Sequence, residues 1–128
     1  MTILGNGVDI VNNSRIKKSI RNKSFIKRIY SNTEIKASKN VRNKANFFAK
    51  RFAAKEAFAK SLGTGFRNGI NFKDISIKNN RYGKPIIFIS KKIKLLILNK
   101  YKINKFNIYL SLSDEYKHSI AFVIINKK

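Results

Sequence analysis

The chain has 128 residues and a formal net charge of +23, from 29 Lys and Arg against 6 Asp and Glu. Its length and its 43% hydrophobic residues indicate a single domain, residues 1–128, that can bury a continuous core. The absence of cysteine excludes disulfides, thiolate zinc sites and a cysteine nucleophile, and the lack of a bilayer-length apolar run or a signal-peptide pattern leads us to expect a cytoplasmic protein that does not bind membranes.

The N-terminal half of the sequence predicts one strand followed by helices. Residues 2–11 form an apolar stretch interrupted by Gly5, Gly7 and Asp9, as expected of a short strand. The predicted helical segments are a basic amphipathic segment at 15–30 capped by Asn12, Asn13 or Ser14, a short turn opened by Thr33 and Glu34, and a long Ala-rich helix from about Asn43 to Leu62. Gly63 is expected to end the long helix.

The C-terminal half predicts a hairpin, a further segment and two strands. In chain order these are a strand at 72–79, a turn at 79–83, a strand at 84–89, the segment 91–102, and strands at 106–113 and 119–125. The segment 91–102 fits a core helix, a buried apolar run or a membrane-surface helix, and we favour the core helix. Together the elements predict the α+β class, with a small, mostly antiparallel sheet packed on a long helix.

Two of the six acids interrupt apolar elements. Asp9 lies inside the first strand, and Glu56 lies on the apolar stripe of the long helix. One interpretation pairs each acid with a base, Glu56 with Lys60 or Lys55 and Asp9 with a neighbour across the sheet, because an unpaired buried carboxylate is costly. The other interpretation places the two acids together at one metal site. No Cys is present and the only histidine, His118, is expected at a strand end, so two carboxylates suit Mg²⁺ completed by water and substrate phosphates.

Basic residues around Glu56 predict a polyphosphate site. Lys55 and Lys60 flank this acid, and Arg51 lies one helical turn before Lys55. Gly63 begins a loop in which bare backbone can approach a ligand. The alternative for that loop is a helix cap and turn, because its sequence LGTG matches neither the P-loop nor the dinucleotide fingerprint.

The net charge at first favours nucleic-acid binding, since neutralising phosphates is a common use of a basic excess. The basic residues are 22 Lys and only 7 Arg, however, and with 16 Asn and 20 Ile the residues favoured by AT-rich codons fill 58 of 128 positions. The lysines are also spread along the chain, whereas groove recognition favours Arg. We attribute part of the charge to genome composition and expect an acidic protein partner but no nucleic acid.

Five motifs occur in a recognisable order along the chain: GNGVDIV at 5–11, KRFAAKEAFAKSLGTG at 50–65, FKDISI at 72–77, YGKP at 82–85 and LSLS at 110–113. The helix motif is long and therefore the most specific of them. Through these motifs the chain resembles, over nearly its whole length, the holo-[acyl-carrier-protein] synthase family of small phosphopantetheinyl transferases.

The resemblance implies a 4′-phosphopantetheinyl transferase-like fold and transfer of 4′-phosphopantetheine from coenzyme A to a serine of apo acyl carrier protein, releasing adenosine 3′,5′-bisphosphate, in fatty acid biosynthesis. It implies that Asp9 and Glu56 bind Mg²⁺ and act in catalysis with Lys60. Its further implications are coenzyme A contacts from Arg51, Lys55, Lys60, Gly63, Lys84 and Pro85, and docking of the acidic carrier on Arg15, Lys18, Arg21 and Arg28. It also implies a homotrimer with active sites between subunits. For the docking residues the alternative is a solvated basic face.

One position departs from the family. After LSLS the family usually has His, whereas this chain has Asp114. A carboxylate near coenzyme A phosphates repels them unless it binds a lysine or points away. This departure leaves an inactive family member as one alternative. The basic charge leaves another, a non-catalytic nucleic-acid-binding domain, which gives no reason to place Asp9 and Glu56 in the most apolar elements.

Overall fold

A computed structural model describes residues 1–128 of the chain. It contains five strands and five helices, in the order β1 (Thr2–Asn12), α1 (Asn13–Ser19), α2 (Lys23–Ile29), α3 (Asn32–Ser38), α4 (Lys44–Ser61), β2 (Ile75–Asn79), β3 (Pro85–Ile89), α5 (Lys91–Tyr101), β4 (Phe106–Asp114) and β5 (His118–Lys127). A 3₁₀ turn, Phe72–Asp74, precedes β2. None of the helices combines the length and the apolar character needed to cross a membrane.

The strands form two antiparallel sheets. One has the order β1-β5-β4, and the other is the β2–β3 hairpin. Helix α4 packs against β1 and β5 of the three-stranded sheet. On the opposite face the register pairs Val8 with Phe122 and Ile10 with Ile120, and these four side chains are 54%, 42%, 60% and 38% exposed. The sheet therefore has one face covered by α4 and one uncovered apolar face, which we call the outer sheet face.

Helix α4 is the centre of the core. Twelve of its residues are buried, and they lie on nearly all sides of the helix rather than along one stripe. They join a cluster of 22 buried apolar residues that includes Ile16 of α1, Ile93 and Ile97 of α5, and both sheets. The predicted long helix is confirmed, and residues 91–101 form the favoured helix, packed on the core through Ile93 and Ile97.

Two elements differ from the sequence-based expectation. The basic segment 15–30 is divided into α1 and α2, because the side chain of Asn22 accepts hydrogen bonds from the amides of Ser24 and Phe25 and so begins a new helix. The strand expected from residue 72 begins only at Ile75, since Asp74 folds back to accept a hydrogen bond from the amide of Asn71.

Candidate active site

The first strand lies directly against the backbone of α4. A Cβ atom on Gly7 would stand 2.0 Å from the carbonyl oxygen of Ala57, and one on Gly5 would stand 2.0 Å from that of Ser61. Only glycine fits at this distance. Side chains alternate along a strand, so Asp9, two residues beyond Gly7, also faces α4.

Asp9 and Glu56, which we call the acid pair, meet at this contact. The Nζ of Lys60 lies 3.0 Å from Oδ1 of Asp9 and donates a second hydrogen bond to the carbonyl of Val8 at 3.1 Å. Burial, and then the charge of Asp9, raise the pKa of Glu56, while Lys60 and Arg15 act in the opposite direction. The partner of Asp9 is therefore a lysine of α4, not a neighbour across the sheet as one interpretation expected.

The chemistry of the acid pair fits a magnesium ion. Burial and the nearby charge of Asp9 raise the pKa of Glu56, and a divalent cation between the two acids would supply positive charge that stabilises both carboxylates. No third His, Asp or Glu joins the pair. A cation held here keeps coordination positions for water and phosphate oxygens, which is how Mg²⁺ is bound at sites with one or two carboxylates.

Lys55 lies in the protein interior, contrary to the prediction that it contacts coenzyme A. Its Nζ is 2.7 Å from Oε1 of Glu34, and both side chains are 0% exposed. The same ammonium donates to the carbonyls of Ile29, Phe72 and Ile75 at 3.0, 3.1 and 2.6 Å. All its donors are used, so Lys55 has none to offer a phosphate.

Three of the other predicted coenzyme A contacts line a separate groove. Arg51, Lys84 and Pro85 lie with Ser111 and Asp114 around a space of about 390 Å³ between α4, the hairpin turn and β4, which we call the hairpin groove. The hairpin turn thus brings the YGKP motif beside the LSLS motif. These motifs are far apart in sequence, and their meeting follows from the packing of the two sheets.

Arg51 is held rigidly at the base of the hairpin groove. It is 5% exposed, its Nη1 donates to the carbonyl of Phe47 at 3.3 Å, and its guanidinium lies 3.6 Å from the centre of the Phe47 ring. Burial lowers its pKa, an effect opposed by Glu34 and Tyr30. The buried Nε has no partner, so an anion in the groove would satisfy a donor that is otherwise unpaired.

Asp114 is held by α4. Its Oδ2 accepts a hydrogen bond from Nδ2 of Asn46 at 2.7 Å, and its Oδ1 lies 3.9 Å from the Nζ of Lys50. Lys50 also lines the hairpin groove. Sequence reasoning missed both α4 residues, although Lys50 directly precedes Arg51 at the start of the helix motif and could have been found from that position.

The acid pair and the hairpin groove lie on different sides of α4. Nine positions separate Arg51 from Lys60, and at about 100° per residue this places their side chains on opposite faces of the helix. Gly63 follows α4 with a φ of +80°, and its amide donates to the carbonyl of Lys60, so this glycine caps the helix, and its contact with a ligand stays a prediction. A single chain therefore brings together Asp9, Glu56 and Lys60 but keeps them apart from Arg51, Lys84 and Pro85.

The predicted docking residues share an exposed basic surface. Arg15, Lys18, Arg21 and Arg28 are all exposed, and none forms a salt bridge. Arg15 also lowers the pKa of Glu56, so this surface begins beside the acid pair. Its positive charge is therefore uncompensated and adjoins the candidate catalytic residues.

Comparisons with known proteins agree with this geometry. The profile of the 4′-phosphopantetheinyl transferase superfamily matches residues 5–121. A holo-[acyl-carrier-protein] synthase from Pelagibacter ubique is 54% identical over 128 residues, covering 100% of both chains. A crystal structure of this synthase from Neisseria meningitidis aligns with a TM-score of 0.87 and 37% identity, over 98% of this chain and 99% of that one.

A second crystal structure, the holo-(acyl-carrier-protein) synthase from Bacillus anthracis, was solved in complex with CoA (3′,5′-ADP). It aligns with a TM-score of 0.83 and 31% identity, covering 100% of both chains. These matches confirm the predicted α+β fold and the resemblance to the holo-[acyl-carrier-protein] synthase family. The chain belongs to the 4′-phosphopantetheinyl transferase superfamily.

Proposed function

We propose that this protein is a holo-[acyl-carrier-protein] synthase, which transfers 4′-phosphopantetheine from coenzyme A to a serine of apo acyl carrier protein and releases adenosine 3′,5′-bisphosphate. The observation that carries the proposal is the acid pair with Lys60, formed by the opening motif and the helix motif of a chain that matches synthases of this name from end to end. Residues 1–128 act as one transferase domain in this proposal. We further propose a cytoplasmic location, which a cysteine-free composition fits, and a role in fatty acid biosynthesis.

The reaction breaks the phosphoanhydride bond of coenzyme A and forms a phosphate ester bond to the serine. The serine oxygen attacks the phosphorus that bears pantetheine, the bond from that phosphorus to the bridging oxygen breaks, and the departing adenosine 3′,5′-bisphosphate keeps that oxygen. Asp9 and Glu56 would hold Mg²⁺, which when bound neutralises charge on the pyrophosphate. A group at the site must also accept the proton that the serine hydroxyl loses. The acceptor in this proposal is Glu56, or a water hydrogen-bonded to it, because burial raises the pKa of this carboxyl.

Lys60 supplies positive charge at the reacting phosphates. Its side chain is 55% exposed and already balances Asp9 at 3.0 Å. An ammonium in this position stabilises negative charge as it develops on the phosphate oxygens. In the hairpin groove, Arg51 and Lys84 would bind the remaining phosphates of coenzyme A, with Pro85 lining the nucleotide. At Gly63 the nucleotide would approach backbone that carries no side chain. Lys55 has a structural role instead, since it forms a buried ion pair with Glu34.

The acidic carrier would dock on the basic surface of α1 and α2. These helices carry no acid in their first turns, so Arg15, Lys18, Arg21 and Arg28 present an unbroken positive field that attracts an acidic partner. Because Arg15 adjoins Glu56, a carrier bound there has its serine near the acid pair. Replacing Arg21 with Glu should raise KM for the carrier and leave KM for coenzyme A unchanged, and equal effects on both would refute this docking site.

We also propose a homotrimer whose active sites lie between copies. Within one chain the acid pair and the hairpin groove are on different sides of α4, so a site that uses both needs a neighbouring copy. The outer sheet face supports the same conclusion, since Val8, Ile10, Ile120 and Phe122 form adjacent cross-strand pairs that are left uncovered. Packing this face against further copies would bury it.

The transfer assay tests the main proposal. The protein is incubated with coenzyme A, Mg²⁺ and apo acyl carrier protein, and the intact mass of the carrier is measured by mass spectrometry. We expect a mass gain of one phosphopantetheine that requires the acceptor serine and is lost when EDTA removes the metal. The matched enzyme controls are Asp9→Ala and Glu56→Ala. A folded wild-type protein that gives no mass gain would overturn the proposal and would favour the inactive family member.

A further inference from the structure

The segment between α4 and the 3₁₀ turn is a loop with little structure of its own. Gly63, Gly65, Asn68 and Gly69 all have positive φ angles, between 64° and 80°. A Cβ on Gly65 or Gly69 would meet no atom within 4 Å, so packing does not hold the loop at these points. Such a backbone loses much conformational entropy when it becomes ordered. Packing holds the loop elsewhere, since Phe66 stacks on Phe72 with ring centres 3.9 Å apart and Ile70 is buried in the core. The glycine positions depend on other contacts.

Two lysines of α5 hold the two ends of this loop. Lys100 Nζ donates to the carbonyl of Leu62, the last residue before the loop, and lies 3.6 Å from where a Cβ of Gly63 would be. Lys92 Nζ donates to the carbonyl of Gly69 at 2.6 Å and lies 3.0 Å from Oδ2 of Asp74. That carboxylate in turn accepts a hydrogen bond from the amide of Asn71.

The two lysines contact the loop from well-separated positions on one helix. They are eight positions apart on one helix, which is about 12 Å along the axis and about 80° around it. Both ammonium groups therefore reach the same side of α5. Their stretch of sequence carries no motif that resembles the family, so motif comparison gives these lysines no role and only the structure identifies them.

We infer that Lys92 and Lys100 are positioning residues that hold the loop 63–71 in the shape that binds coenzyme A. The inference rests on the proposed function, in which Gly63 contacts the nucleotide. A loop fixed before binding loses less freedom when the ligand arrives, and the affinity for the ligand rises accordingly. The two contacts do not touch the acid pair, so the chemical step at saturating coenzyme A does not depend on them.

The test compares Lys92→Ala, Lys100→Ala and the double variant with Lys94→Ala. Lys94 is an exposed lysine of the same helix whose side chain forms no hydrogen bond or ion pair. In the transfer assay we expect KM for coenzyme A to rise by about fivefold to tenfold in the double variant, with kcat and the KM for the carrier unchanged. Lys92→Arg and Lys100→Arg keep a donor and should recover most of the affinity. Lys94→Ala should behave as wild type.

Hydrogen–deuterium exchange of the same proteins without coenzyme A provides a readout that needs no activity. Amides of residues 63–71 should exchange faster in the double variant, while those of α4 exchange as in wild type. Faster loop exchange with an unchanged KM, or unchanged loop exchange, overturns the inference. A wild-type protein without transferase activity would instead refute the proposed function, and the exchange experiment would still decide whether the two lysines restrain the loop.

Discussion

Gly7 of β1 lies against Ala57 of α4 so closely that a Cβ on the glycine would stand 2.0 Å from the alanine carbonyl oxygen. No rotation of a side chain relieves such a contact, because both atoms are fixed to backbone. This contact therefore fixes the distance between the strand and the helix. That separation also determines how near Asp9 comes to Glu56, so the glycines of the opening motif act on the candidate site through packing.

Replacing Gly7 with Ala should separate the strand from the helix and move Asp9 away from Glu56 and Lys60. We expect destabilisation of about 1–3 kcal/mol, as for other overpacked sites. Transfer should fall by about a hundredfold, since small misplacements of reacting groups have large effects on rate. Chemical denaturation and the transfer assay measure the two effects. Thr2→Ala, at the exposed start of the same strand, is the control, and a fully active Gly7→Ala protein would show that the close approach is not needed.

Glu56 should make stability depend on pH. Its pKa is raised in the folded protein by burial and by Asp9, so above the ordinary value of 4.5 the unfolded chain releases this proton more readily than the folded one. The folded state therefore loses stability as pH rises from about 4.5 through the raised pKa. Glu56→Gln should remove this loss.

We accordingly expect Glu56→Gln to have a higher Tm than wild type at pH 7 and to be inactive in transfer. The difference in Tm should shrink as pH falls below 4.5, where the wild-type carboxyl is protonated in both states. Thermal unfolding between pH 4 and pH 8 checks the sign. A variant less stable than wild type at pH 7 would show that the charge of Glu56 is fully compensated in the fold.

The secondary structure and the acid pair could be predicted from sequence because their signals are local. The Ala-rich run of α4 and the acid inside the apolar strand β1 each lie within about ten residues. The burial of Lys55 could not be predicted from sequence, because it depends on contacts with Glu34, Ile29 and Phe72, which come together only in the folded chain. The break at Asn22 was also missed, because the basic pattern continues on both sides of it.

The hairpin groove shows the same limit. The YGKP and LSLS motifs were recognisable separately, but nothing in the sequence shows that they lie on the same side of α4, away from Asp9. That arrangement follows from the order β1-β5-β4, in which β5 separates the strand of Asp9 from the strand of Ser111. The order depends on long-range pairing, which a local pattern does not specify.

The buried pair of Lys55 and Glu34 should be essential for stability. Lys55→Met leaves the Glu34 carboxylate in the interior with only the amides of Ser31 and Ile77 as partners. We expect a loss of about 3–5 kcal/mol, as for other buried ion pairs that lose one member. The double variant Lys55→Met/Glu34→Gln should lose less than the sum of the two single variants. Denaturant unfolding of the four proteins checks this, and additive losses would contradict an interaction between the two groups.

Asp114 places a negative charge in a groove proposed to bind phosphates. Asp114→His should lower KM for coenzyme A by about threefold to tenfold, because a repulsive charge is removed and a basic group is added. Asp114→Asn keeps a hydrogen-bonding group for Asn46 but removes the charge, so it should lower KM for coenzyme A by a smaller factor than Asp114→His. Initial rates at varied coenzyme A measure both. No change in either variant would mean that Asn46 and Lys50 already keep this carboxylate away from the ligand.

Active sites shared between copies predict that two inactive variants can complement each other. Glu56→Ala removes one of the acid pair and Lys84→Ala removes a base of the hairpin groove, so each homotrimer alone should transfer slowly. If a site takes Glu56 from one copy and Lys84 from its neighbour, trimers mixed at equal amounts contain intact sites at about a quarter of their interfaces. Transfer should then recover to about that fraction after the two proteins are unfolded and refolded together.

The control is a mixture of Glu56→Ala with Asp9→Ala. These two variants act on the same side of α4, so their mixture should not recover activity. Light scattering establishes that the refolded species has three copies. Recovery in neither mixture would mean that each copy builds its site alone, and recovery in both would mean that the acid pair is itself divided between copies.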